Sequence, residues 1–136
     1  MNYYQVNVSY ERQTGEDNPG KVKEAYLVIA ENTSDAENCV MEEIKPFVFG
    51  ECETKQIKKR SFFDEFINNE CNDFYYEAKV EIITIEGETE TRRAVPILVS
   101  AGNFKDALTY LMSNMSDWDC EIISLKKTAI TSILDA

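Results

Sequence analysis

There is no histidine among the 136 residues of the chain. That removes imidazole-based triads, histidine metal sites and the usual proton shuttle near neutral pH. Proline (3) and glycine (5) are sparse, so each one marks a place where regular structure stops or bends. The four cysteines, Cys39, Cys52, Cys71 and Cys120, include no Cys-x-x-Cys pair, which leaves out the common metal and redox motifs. No apolar run approaches the roughly 18 residues of a spanning helix. The opening "MNYYQVNVSYERQ" has neither a basic stretch nor an apolar core, so it does not read as a signal peptide. There is no GxxxxGK[ST] loop and no GxGxxG turn. The expectation from these absences is a cytoplasmic protein with reduced thiols, no membrane association, no metal and no cofactor.

Positive charge is also in short supply. Fourteen Lys and Arg face 25 Asp and Glu, a net charge of −11. A field of that sign repels phosphate backbones, so direct nucleic-acid binding is disfavoured. A local basic patch remains able to hold a small anion. With 43% hydrophobic residues, the chain has material for a real core and reads as a single domain over 1–136.

What is present is an internal repeat. "YYQVNVSY" (3–10) alternates Tyr4, Val6, Val8 and Tyr10 against Gln5, Asn7 and Ser9, the pattern of a half-buried strand. "YYEAKVEI" (75–82) repeats it, with Tyr76, Ala78, Val80 and Ile82 inward. "QTGEDNPGK" and "IEGETET" then read as hairpin turns. "KVKEAYLVIA" and "RRAVPILVSA" follow as strands apolar on both faces, with Pro96 expected at an edge or a bulge.

"TSDAENCVMEEIKPF" predicts a helix opened by Ser34 and Glu37, with a stripe of Ala36, Cys39, Val40 and Ile44. "NFKDALTYLMSNM" predicts another, capped by Asn103, with a stripe of Phe104, Ala107, Leu108, Leu111 and Met112. The third strands are "CETKQIKKR" and "CEIISLKKT", 68 residues apart. Short amphipathic tails follow each, "SFFDEFIN" and "AITSILDA"; Asp64 and Glu65 read as the solvated side of a short helix with Phe62, Phe63 and Phe66 as core anchors. The fold expected is α+β: a tandem, pseudo-two-fold repeat of β-β-α-β units, about 1–68 and 72–136. Their mainly antiparallel sheet carries two helices.

These segments resemble a family of small uncharacterised proteins, a domain of unknown function, from gut Bacteroidetes and their phages and mobile elements. The resemblance rests on "YYQVNVSY", "VKEAYLVIAENTSDAEN", "EIKPFV" and "QIKKRSF". Relatives are expected to carry Cys where Val6 stands. The resemblance implies an intracellular bacterial or phage protein and carries over no functional residue.

No constellation for catalysis emerges. The cysteines lack a base to activate them, and the many carboxylates fall into no acid/base pair or metal motif. The residues left for a site are the repeated cations Lys58, Lys59 and Arg60 with Lys126 and Lys127. Alternation puts Ile57 and Leu125 on the core face. The cations then either guard strand edges or, in equivalent spots, cradle an anion. Tyr3 and Tyr75 are the outward, exposed aromatic candidates, since Tyr4 and Tyr76 take the inward positions. The leading functional expectation is a non-enzymatic binding or interaction protein with a protein partner, or self-association through Leu27, Ile29 and Leu98. The alternatives are a phage protein sequestering an anionic nucleotide-type signal, and an acidic mimic of nucleic acid.

Overall fold

The computed structural model describes residues 2–12 and 20–136. The first expected turn, in "QTGEDNPGK", falls largely on 13–19 and so lies outside the described residues. The elements run β1 (Asn2–Arg12), β2 (Gly20–Ala30), α1 (Thr33–Ile44), β3 (Val48–Arg60), β4 (Asp64–Phe66), β5 (Phe74–Glu86), β6 (Thr89–Ala101), α2 (Phe104–Asn114), β7 (Cys120–Lys127) and β8 (Ile130–Asp135). A 3-10 turn, Lys45–Phe47, joins α1 to β3. The class is α+β, as expected.

The chain divides into two compact units, 1–61 with 129–136, and 62–128. In unit 1 the sheet order is β3-β1-β2-β8. β1 is antiparallel to both β2 and β3, and β8 is parallel to β2, with Ile133 opposite Leu27. The alternation of β1 does what its pattern predicts: Tyr4, Val6, Val8 and Tyr10 are buried in one cluster with Tyr26, Val28 and Ala30 of β2. Ala36, Val40 and Ile44 of α1 complete that cluster, spaced four apart on one side of the helix. Val40 and Ile44 each contribute roughly 1.5–3 kcal/mol by leaving water.

In unit 2 the order is β4-β6-β5-β7, again with a central antiparallel pair, an antiparallel edge strand and a parallel one. Its core gathers Tyr76, Ala78 and Val80, Val95, Ile97 and Val99, and Ala107 and Leu111 of α2. Phe66 from β4 joins them, and Trp118 meets the rings of Phe63 and Phe66 edge-on at 5.9 Å each.

Several expectations are corrected. The tails "SFFDEFIN" and "AITSILDA" supply strands β4 and β8, not a solvated short helix. Residues 62–66 pack with β6, and residues 129–136 with β2. Phe63 is half exposed rather than a core anchor.

The first helix is capped by Asn32, two residues before Ser34. Asn32 Oδ1 accepts from the Asp35 N–H at 2.8 Å, and Asn32 Nδ2 reaches the Asp35 carboxylate. Asn103 and Asp106 make the same exchange at α2, as expected for Asn103. Phe104 and Met112 leave the predicted stripe and stand exposed. Pro96 sits where an edge demands it: β4 pairs with β6 only from Ile97 onward, and the Pro96 carbonyl accepts from the Phe63 N–H.

The β5–β6 turn has two loop residues, Gly87 and Glu88, between the paired Glu86 and Thr89. Gly87 has φ of +63°, and no non-glycine residue has positive φ among those described. A first loop position with positive φ followed by a normal one is a type II′ turn. An added Cβ at Gly87 would meet nothing within 4 Å, so only the backbone demands glycine. Gly87→Ala is expected to cost about 1–2 kcal/mol, read as a lower denaturation midpoint with an unchanged slope. Asn103→Ala is expected to cost about 1 kcal/mol through the lost cap.

Candidate functional site

β3 and β7 are edge strands of their sheets. Lys58 stands opposite Gln5, Lys59 opposite Tyr4 and Arg60 opposite Tyr3. Lys126 stands opposite Glu77, and Lys127 opposite Tyr76. Tyr4 and Tyr76 belong to the helix-covered cores, so Lys59 and Lys127 take the helix side, while Lys58, Arg60 and Lys126 take the other. Strand geometry thus separates each adjacent pair of lysines instead of gathering them. Lys127 lies over the Phe74 ring, 3.6 Å from its centre. Arg60 Nη1 donates to Gln5 Oε1 at 2.9 Å. Ile57 and Leu125 pack against the two cores, as their parity predicts.

The aromatic candidates fare differently. Tyr3 is half-buried. Tyr75 is only 5% exposed and is not the outward platform expected. β5 is an interior strand, and its side away from α2 is buried at Tyr75, as are Leu98 and Ser100 of β6. Leu27 and Leu98 likewise are 0% exposed, and Ile29 is half-buried.

Sequence reasoning missed a phenol–carboxylate cluster in unit 1. The hairpin register places Val8 opposite Glu24, with Tyr10 and Tyr26 as its diagonal neighbours. The hydroxyls of both Tyr10 and Tyr26 donate to Glu24 Oε1, Tyr26 at 3.1 Å. Burial, helped by the Glu24 charge, pushes Tyr10 up to about 12 and raises Tyr26 as well. The signal was present in alternation, since all three residues share parity with the core. It required the hairpin register to be read. Through these two hydrogen bonds the cluster ties β1 to β2.

Thiols show no activation either. Burial raises Cys39, Cys52 and Cys120, with Glu43 and Asp135 adding to the effect at Cys39. Among the described residues no group of three or more Cys, Asp or Glu has metal-holding geometry. No helix is long and apolar enough to cross a membrane.

Two surfaces remain with binding character. On unit 1, a recess of about 350 Å³ opens between Gln5 and Asn7 of β1, Lys23 and Ala25 of β2, Lys55 of β3, and Ala129. On unit 2, the outer side of α2 carries Phe104 at 53% exposure and Met112 at 57%, with the half-buried Leu108 between them. The Phe104 ring meets Tyr76 edge-on at 6.3 Å.

Helix-covered sheets, each with a parallel edge strand, define an α+β protein. The profile of a domain of unknown function, DUF4494, matches residues 2–136, and the chain belongs to that family. No curated protein matches it.

Two measurements check the electrostatics of the site. A phenol whose pKa is raised on folding favours the neutral form, so its contribution holds below pH 10 and fades as pH rises toward 12. Tyr10→Phe is therefore expected to flatten the loss of stability across that window, measured by denaturation at several pH values. In alkylation followed by mass spectrometry at pH 8, exposed Cys71 is expected to react well before Cys39, Cys52 and Cys120.

Proposed function

We propose that the protein is a non-enzymatic binding protein that docks on another protein through unit 2. The observation that carries this reading is the stripe Phe104–Leu108–Met112 on the outer side of α2. Counted from the two Asn caps, the matching positions of α1 are Thr33, Glu37 and Met41. The architecture tolerates polar residues at the first two of these positions, so an apolar side chain at all three is not a demand of folding. Exposed apolar groups held in line mark interaction surfaces. Unit 2 holds thirteen of the acidic residues and six of the basic ones. The complementary partner is a protein that offers an apolar anchor framed by basic residues.

The tandem, pseudo-two-fold relation of two β-β-α-β halves belongs to the same reading. Three matched details support it: the Asn–Asp caps, the like strand orders, and a one-residue bulge at Lys55 and at Ile123, 68 positions on. Duplication followed by divergence accounts for one polar helix and one that docks.

The test is a photo-crosslinking residue at position 108 in cells that make the protein. One predominant heterologous protein is expected, lost with Phe104→Ser plus Met112→Ser while the melting temperature holds. No adduct, or adducts only with copies of the chain, would sink the reading.

A further inference from the structure

We infer that the recess on unit 1 bounded by β1, β2 and β3 binds a phosphomonoester, a doubly charged phosphate carried on a small polar body. The inference is independent of the docking surface on unit 2 and uses none of its residues. It starts from the direction of a chain of amides. Arginine can only donate. Arg60 Nη1 donates to Gln5 Oε1 at 2.9 Å, which fixes the Gln5 amide with its oxygen toward Arg60. Gln5 Nε2 then donates to Asn7 Oδ1 at 3.2 Å, and Asn7 Nδ2 donates to Gln56 Oε1 at 3.4 Å.

Each amide oxygen in this chain already accepts a bond. Each amide nitrogen has two N–H groups, and the network uses one from Gln5, one from Asn7 and none from Gln56. What the network leaves over is four N–H groups, one on Gln5, one on Asn7 and two on Gln56, against one lone pair on each of the three oxygens, so donors are in excess.

Two ammonium groups border the same recess. Lys23 projects from β2 and has no ion pair among the described residues. Lys55 arrives by way of a bulge. Asn7 faces Gln56 and Val8 faces Thr54, so Lys55 is the extra residue in β3. Bulges of this kind re-aim a side chain at a site. Lys55 contacts Glu53 at 2.8 Å, but both are exposed, and such surface pairs hold weakly. Glu24, the carboxylate at the rim, is occupied by the two tyrosine hydroxyls.

Spare N–H groups and two ammoniums call for an acceptor-only dianion. At about 350 Å³ the recess is larger than a bare phosphate needs and falls at the small end of ligand pockets. Unit 2 lacks this chemistry. Its corresponding recess carries Glu77 beside Lys79 and Lys126, and its bulged residue is Ile123.

The experiment is a titration of the isotope-labelled full chain at pH 7, followed through side-chain amide resonances. The probes are ribose 5-phosphate, adenosine 5′-monophosphate, inorganic phosphate and succinate. At least one of the two phosphomonoesters is expected to shift the Gln5, Asn7 and Gln56 NH2 signals. Inorganic phosphate should bind more weakly than the better ester, and which ester wins identifies the body. Lys23→Ala with Lys55→Ala should weaken binding about tenfold or more, as should Asn7→Asp, which turns a donor into an anion. Lys58→Ala with Lys126→Ala should leave binding within about twofold, a change too small to register as lost contact energy. Backbone spectra of each variant confirm the fold. The inference is overturned by silence of both esters up to about 10 mM, beyond the millimolar range of weak complexes. It is equally overturned by preference for succinate, or by shifts that survive in the Lys23/Lys55 variant.

Discussion

A strand that is apolar on both faces cannot serve as the edge of a sheet in water. Its unpaired N–H and C=O groups would lie beside hydrophobic side chains, the arrangement that recruits other chains. β2 and β6 are such strands: Ala25, Tyr26, Leu27 and Val28 are buried in succession, as are Ile97, Leu98, Val99 and Ser100. Each hairpin supplies a partner on one side only. β8 and β4 supply the other, parallel to β2 and β6. With that pairing made, the polar, lysine-bearing strands β3 and β7 are left at the far edges.

The edges also show how one local device takes two meanings. β3 and β7 share a one-residue bulge at the same step along the strand, and β3 shifts register a second time between Tyr10 and Arg12. In β7 the extra residue is Ile123, half exposed. In β3 it is Lys55, brought to the rim of a recess floored by amides. The cations that stand out in sequence, Lys58 with Lys59 and Lys126 with Lys127, are split by the pleat onto opposite faces. Their neighbours Gln5 and Asn7 do more to set the character of the surface, because Arg60 locks the direction in which they hydrogen-bond.

Much of this was legible in the residues. Alternation located Tyr4, Val6, Val8 and Tyr10 and put Ile57 and Leu125 on the core side, since period two is fixed by strand geometry. Asn103 announced its cap. Asn32 was passed over for Ser34 because both residue types cap and the true start depends on where β2 ends. Tyr75 was assigned outward by parity alone, but parity separates two faces without saying whether either meets water. The strands β4 and β8 were illegible for a different reason: short segments acquire strand character from the partner they find, and Ile130 finds Ala25 more than a hundred residues away in the chain. The recess on unit 1 needed cross-strand register as well as composition, as did the Glu24 clamp.

That last pairing has a consequence for the order in which the molecule can be made. Strands β1, β2 and β3 emerge early during synthesis, but the open side of β2 stays unpaired until residues 130–135 have been added. Unit 2 meets no such delay, since β4 precedes the hairpin it completes. Unit 1 thus starts before unit 2 and is completed after it. Closing so long a loop makes the final step slow relative to local hairpin formation, and a nascent chain paused before its last strand exposes one hydrophobic strand edge to chaperones and to neighbouring ribosomes.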